Sequence, residues 1–502
     1  MPSNARRFLV LGLDGATFDL LDPWMAAGEL PFLRSLAERG FRAPLASVFP
    51  AKTIPAWYSF ATGLDPGRLG IYGFTEPDGG PGRSKIVQTF RPAEAFWDRL
   101  SRQGASVGVL NFPLRAGYPI HGFVVPGMLS DLPPTYPEGL RRDLEQALGG
   151  PFVPELPPYR EVDRADWMAR ASEGVRQRAA MAEILVDRYS PDFLFALFRE
   201  TDRVQHQHWA ELAQPPGRVP QDLRAFWRAV DESCARIDRA FRHSGGPAVT
   251  LVISDHGAGA AQSEFFTNRW LLEHGYLKFR NGGDTFRRRA VSRLLEASDR
   301  VPLTRSVLRP VVDRLRHSDR AARFTKAVAG EATFEGMREQ IDWEHTVAYS
   351  FPVPEGIYLN PYNPTLSAAA GERIVEEIRA KLAGYEEAHI EVFEPKDLYP
   401  DVVANRPPSL LLRIDGMATD PRMDFSYPKP FLRQRPGFFY GSGVHRMNGV
   451  LVAAGDGVPA SRSEEPLSLL DVAPTVLEGM GAEVPAAMRG RSFVSRLGAA
   501  PS

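Results

Sequence analysis

A chain of 502 residues is long enough for one large α/β domain with insertions, or for two to three ordinary domains. Its formal net charge of −1 provides no global basic field of the kind nucleic-acid binding usually shows, so no specific nucleic-acid partner is expected. One cysteine, Cys234, excludes an internal disulfide; it falls on the apolar stripe Leu223, Phe226, Val230, Cys234, Ile237, Phe241 and reads as a buried structural thiol.

The N-terminal stretch MPSNARRFLVLGLDGATF sets two arginines before an apolar run, but that run is short and ends in Asp14, without a small-residue cleavage site. It reads as a strand in a cytoplasmic protein. No later segment reaches the ~20 apolar residues that span a bilayer. Residues 8–13, FLVLGL, are a continuous apolar run typical of a strand buried on both faces of a parallel sheet.

Next comes VFPAKTIPAWYSFATG at 48–63. Thr53 offers a hydroxyl just ahead of an apolar, proline-started run that reads as a helix. The first-turn N–H groups and the positive end of the dipole then face one point, a place for an anion. Thr53 is a candidate nucleophile toward a phosphate or sulfate ester; a plain N-cap is the competing role. Lys52 beside it is either a source of positive charge or a solvated side chain.

Further apolar runs occur at 107–112 (VGVLNF), 193–198 (FLFALF), 249–254 (VTLVIS) and 449–454 (GVLVAA), separated by helical or mixed sequence. This alternation predicts an α/β fold, with a central, mostly parallel sheet flanked by helices. Helices are expected at 372–382 and 468–481. Asn111, within LNFP, is either a polar donor at a strand end or a turn residue before Pro113.

Two stretches look inserted. Residues 126–165 are Pro-rich and read as a loop-rich excursion. Residues 280–326 carry 13 lysines and arginines against 5 carboxylates, with apolar residues at helical spacing, and suggest two basic amphipathic helices. Such a segment would attract an anionic substrate, rest peripherally on an anionic membrane, or pack as a solvated helical insert. The expected organisation is a catalytic core in two parts, 1–279 and 346–502, separated by a basic helical insert or cap at 280–345.

Ligands of open α/β sheets collect beyond the carboxyl ends of the strands. There the sequence places Asp14, then Asp202 with His206 four residues on, then Asp255 and His256, while His445 sits in the Gly-rich loop YGSGVHRMNG before the last apolar run. Carboxylate oxygens and neutral imidazoles suit Zn²⁺ and other first-row divalent ions. Asp202 and His206 share a face on a helical turn. With Thr53, these residues form the set a two-metal site requires. His208 points off that face and reads as an ordinary histidine. A threonine hydroxyl is a poor nucleophile at neutral pH and needs a metal ion to stabilise its alkoxide; a pair of ions ~4 Å apart serves both attacking and leaving oxygens without a separate general acid.

The motifs GLDGAT, FPAKTIPAWYSFATG with LDPGRLGIYGF, TDRVQHQHW, ISDHG and GVHRMNG resemble, in order and approximate spacing, those of the type I phosphodiesterase/nucleotide pyrophosphatase family of the alkaline phosphatase superfamily. The resemblance implies an alkaline phosphatase-like fold. It also implies one ion held by Asp14, Thr53, Asp255 and His256, a second held by Asp202, His206 and His445, and transient phosphorylation of Thr53. The ions implied are zinc, with manganese as an alternative. LGIYGF departs from the family pattern: Leu69 replaces a histidine, and Phe74 an asparagine that helps hold a phosphate oxygen, so the nucleotide assignment does not carry over. Lys52, Phe74 and Asn111 are therefore candidate substrate-binding positions.

The expected function is a two-metal phosphodiesterase acting on a phosphorylated small-molecule or lipid-like substrate. A phosphomonoesterase or phosphonate hydrolase using the same site is the alternative, and a non-catalytic binding protein of this fold a lesser one. The sulfatase branch is disfavoured, because Cys234 lies in no C/S-x-P-x-R context.

Overall fold

The computed structural model describes residues 6–498 except 88, 90–92, 130–132, 153–154, 281–333, 404–406 and 434–440. The two basic helices expected within 280–326 thus lie outside the described residues, Arg280 apart.

The five apolar runs become strands, and six further strands join or border them. In chain order these are β1 (Arg7–Leu13), β2 (Phe41–Ala46), β3 (Val107–Leu114), β4 (Gly122–Met128), β5 (Phe193–Phe198) and β6 (Ala248–Ile253), then β7 (Gly257–Ala260), β8 (Gly443–Arg446), β9 (Asn448–Gly455), β10 (Ser461–Arg462) and β11 (Leu467–Ser468). Among the described residues, nine of these form one sheet in the order β10-β2-β9-β6-β1-β5-β3-β4, with β11 also on β2. Every pairing is parallel except those of β9, which runs antiparallel to both β2 and β6. β7 and β8 form a separate antiparallel ladder.

Successive residues of β1 point to opposite faces, and both faces are apolar, which is why the strand reads as an unbroken hydrophobic run. Leu9, Leu11 and Leu13 enter a core with Trp167, Val175, Phe226 and Cys234 from the helices α2 (Arg164–Tyr189) and α4 (Gln221–His243). Phe8 and Val10 enter the opposite core with Trp57 and Phe60 of α1 (Thr53–Thr62) and Val472 of the helix Val472–Gly479. The stripe around Cys234 is fully buried, as expected. Between α2 and α4 in sequence, α3 (Glu200–Leu212) leaves the carboxyl end of β5.

The chain divides into two compact units: Met1–Phe74 with Val87–Ala260 and Gly437–Ser502, and Thr75–Ile86 with Ala261–Pro436. These boundaries differ from those expected at 280 and 346. Among the described residues of 346–436 none joins the central sheet: Ala348–Tyr349, Gly356–Leu359, Ile390–Phe393 and Leu410–Ile414 pair among themselves, next to the helix Ala368–Ala383. The Pro-rich stretch 126–165 also holds more regular structure than its composition suggests, including the end of β4 and a helix, Leu140–Leu148.

Candidate metal centre

Three carboxylates gather at the carboxyl ends of adjacent strands. Asp14 follows β1, Asp255 follows β6, and Asp202 lies in the first turn of α3 after β5; all three are buried. Gly15 links them: its N–H donates to Asp255 Oδ1 at 3.1 Å, its φ is +70°, and a Cβ there would stand 3.0 Å from Asp202 Oδ1. Only glycine meets both demands cheaply. Thr201 fastens the first turn of α3 to the end of β1, its hydroxyl lying 2.6 Å from Asp14 O and 2.7 Å from Phe198 O.

The histidines complete the cluster. Ligand atoms of Asp14, Asp255 and His256 lie within 4.8 Å of one another, as do those of Asp202, His256 and His445. His206 Nε2 is 3.3 Å from Asp202 Oδ1 and 2.8 Å from His445 Nε2, and His445 Nε2 is 3.5 Å from Asp202 Oδ1. His445 arrives on β8 because Gly443 lets that strand lie against α3: a Cβ at Gly443 would meet Gln205 O at 2.4 Å.

Each imidazole is oriented through its other nitrogen. A carbonyl can only accept, so Nδ1–H donates from His206 to Gly443 O (2.9 Å), from His445 to Ala51 O (2.6 Å) and from His256 to Gly257 O (3.1 Å). Each Nε2 is left with its lone pair directed into the cluster, the arrangement that metal-ligating histidines adopt. Asp14 Oδ1, Asp255 Oδ2 and His256 Nε2 are buried without a hydrogen-bond partner. A divalent cation satisfies all three, so the donor set fits the metal the sequence implied.

Electrostatics point the same way. Burial first, then the charges of Asp255 and Asp202, push the Asp14 carboxyl well above its ordinary range. Burial and Asp202 do the same to Asp255. Burial also acts upward on Asp202, but His206 and His445 outweigh it and hold Asp202 well below the usual range. Burial lowers His256 and His445, keeping both neutral and able to ligate.

Thr53 is the first residue of α1 and only 1% exposed; Lys52, not Thr53, occupies the cap position, and no side chain caps the turn. The N-cap role weighed for Thr53 is therefore excluded. Both flanks of Thr53 are tied to the cluster: Ala51 O accepts from His445, and Trp57, one turn on, donates its indole N–H to Asp14 Oδ2 at 3.1 Å. The charge of Lys52 reaches His445 and lowers its pKa further.

Asn111 departs from expectation. It lies inside β3 at a bulge, with φ +64°, and its Nδ2 donates to Leu197 O at 2.9 Å. The strand continues through Pro113 to Leu114, so Asn111 lies within a strand rather than at its end or in a turn. Phe74 is 37% exposed. His208 is buried, with Nδ1 2.7 Å from Glu211 Oε2, an ordinary core histidine as expected.

Sequence reasoning missed Trp57 and Arg199. Trp57 carried a usable signal, since it stands four residues after Thr53 on one helix face. Arg199 directly follows β5; its guanidinium pairs with Glu155, and its charge opposes, without cancelling, the rise of the Asp14 carboxyl. No pattern in the chain marks Glu155, in the Pro-rich stretch, as its partner.

Three solved structures share the fold. Wild-type alkaline phosphatase PafA is 12% identical with TM-score 0.57, covering 98% of this chain and 99% of that one. Phosphonoacetate hydrolase from Sinorhizobium meliloti 1021, in complex with phosphonoformate, is 14% identical with TM-score 0.51 over 95% and 96%. Murine ectonucleotide pyrophosphatase/phosphodiesterase 5 is 14% identical with TM-score 0.50 over 98% of both chains. No curated protein sequence matches. The profile of the type I phosphodiesterase/nucleotide pyrophosphatase family matches residues 8–393. With that match, the alkaline phosphatase-like sheet and two clusters of candidate metal ligands at its strand ends, the chain belongs to the type I phosphodiesterase/nucleotide pyrophosphatase family and is a metal-dependent phosphoryl hydrolase.

Proposed function

We propose that the protein hydrolyses phosphodiesters through a phospho-threonine at Thr53. Asp14, Thr53, Asp255 and His256 would hold one divalent ion, and Asp202, His206 and His445 a second, zinc or manganese. The observation that carries this reading is the convergence of three Nε2 lone pairs and three buried carboxylates beside the start of α1. When bound, such ions supply positive charge that lowers the pKa of a hydroxyl and neutralises phosphoryl oxygens.

The chain's own residues do the rest. Thr53 Oγ1 bonds to phosphorus as the ester P–O bond breaks, and the departing alcohol takes up a proton. Water then attacks phosphorus, the P–Oγ1 bond breaks, and Thr53 recovers its proton. The uncapped first turn of α1 presents N–H groups to the phosphoryl oxygens. Phe74 offers an apolar surface where the family carries an amide, which favours an aryl or lipid-like group over a nucleotide.

A phosphomonoesterase or phosphonate hydrolase is the second reading, favoured by the charge of Lys52 beside the cluster, since a monoester brings an additional negative charge. Turnover by the purified protein, with zinc or manganese, of bis-p-nitrophenyl phosphate, p-nitrophenyl phosphate and a phosphonate ester separates these readings. The diester is expected to turn over fastest. Absence of turnover on all three, with no bound metal by elemental analysis, would overturn both.

A further inference from the structure

Asp14 presents its two oxygens to different neighbours. Oδ2 accepts from the Trp57 indole at 3.1 Å, whereas Oδ1 is buried, has no hydrogen-bond partner, and lies 3.7 Å from His256 Nε2. An indole N–H donates and never accepts, so this contact favours the charged carboxylate and fixes which oxygen remains for a cation. Trp57 has no freedom to withdraw: it is fully buried, meets Phe60 edge-on at 5.7 Å and Phe195 at 5.5 Å, and fills space over Gly12, where a Cβ would come within 2.9 Å of the indole. Gly12 is two residues before Asp14 on β1, so strand and indole are shaped to one another at the point where the ligand leaves the sheet.

We propose that Trp57 is a positioning residue: its indole N–H aims Asp14 Oδ1 at the metal and couples the helix carrying Thr53 to the ligand set. This rests on the two-metal reading above. Thr53 and Trp57 are four residues apart on one face of α1, so the element that presents the hydroxyl also sets the direction of the carboxylate. A displacement of α1 would disturb Thr53 and Asp14 together.

The test is metal binding by the full-length apoprotein, titrated calorimetrically with zinc. Trp57→Phe keeps a ring but loses the donor, and is expected to weaken one of two equivalents about 10-fold or more, the usual cost of removing an outer partner of a metal ligand. Trp57→His, which retains a ring N–H, recovers part of that loss. Phe195→Leu loosens the same aromatic contact without touching Asp14 and is expected to keep both affinities at a lowered Tm. In an Asp14→Asn background, Trp57→Phe adds no further loss. Wild-type affinities in Trp57→Phe, or an equal loss in Phe195→Leu, would overturn the inference. A wild-type protein that binds no zinc overturns instead the two-metal reading.

Discussion

His206 Nε2 and His445 Nε2 face each other at 2.8 Å while each ring donates its Nδ1–H to a backbone carbonyl. Where neither ring carries a proton on Nε2, lone pair faces lone pair, and a cation between them removes the conflict. Chelation is therefore expected to abolish activity, and restored zinc or manganese to raise Tm in proportion to the logarithm of its concentration. A site at 100 times its Kd gains about 2.7 kcal/mol. A Tm that does not respond to metal would contradict the assignment.

His256 Nε2 lies within reach of both groups of ligand atoms, serving the ion proposed with Asp14 and Asp255 and bordering the other, whereas His206 borders only one. His206→Ala is expected to lose about one equivalent of metal while retaining the other; His256→Ala is expected to weaken both. Elemental analysis after dialysis distinguishes the two patterns. Equal stoichiometry in the two variants would show that the groups do not share His256.

Thr53→Ala should lower turnover of bis-p-nitrophenyl phosphate at least about a thousandfold, the scale on which loss of a nucleophile is felt. Most bound metal should remain, since the other ligands stay in place. Loss of all metal would make Thr53 chiefly a ligand. Thr53→Ser, which keeps a hydroxyl, should retain measurable activity.

Asn111 sits at φ +64° and bonds Leu197 O. Asn111→Gly relieves the backbone but forfeits that bond, so a stability loss of about 1 kcal/mol is expected by denaturant titration. Asn111→Val should cost more, because a β-branched side chain is strained in the left-handed region. The KM of both variants should match the wild type; a raised KM would return Asn111 to substrate binding.

Arg164, the first residue of α2, pairs with Glu211 of α3 and Asp222 of α4 and so braces the helix that carries Asp202 and His206. Burial alone would push the Asp222 carboxyl up, but Arg164 outweighs it and holds the pKa below its ordinary value. A carboxyl depressed on folding stabilises the protein above its unfolded pKa, ~3.9, and that contribution disappears as pH falls through the lower folded value. The Tm gap between wild type and Asp222→Asn should therefore be full at neutral pH and close below about pH 4. A gap that widens on acidification would reverse the sign.

The sheet was legible because burial on both faces writes each strand as an unbroken apolar run: 193–198 appears as β5 residue for residue, and the other four runs differ by one or two residues at their ends. The ligand residues were legible too, since Asp14 and Asp255 directly follow such runs and Asp202 lies four residues after one. What sequence could not show was sharing in three dimensions, as at His256, or the bulge that turns Asn111 inward. Pro113 suggested that the strand stopped, whereas at the bulge it is tolerated. The second unit escaped notice because residues 346–436 contain strands and a helix of their own, and composition does not reveal which sheet a strand joins.

The central sheet also dictates an order of events on the ribosome. Among the described residues β2 reaches the rest of the sheet only through β9, and about 400 residues separate Ala46 from Asn448. At ~10 residues per second, the nascent chain carries an unpaired β2 for about 40 s and an open β6 edge for about 20 s. The strand that closes this gap follows directly after β8, which brings His445. Translation that stops before Gly443 therefore releases a chain lacking both that histidine and the strand that seals its sheet, a product marked for aggregation or proteolysis rather than for partial activity.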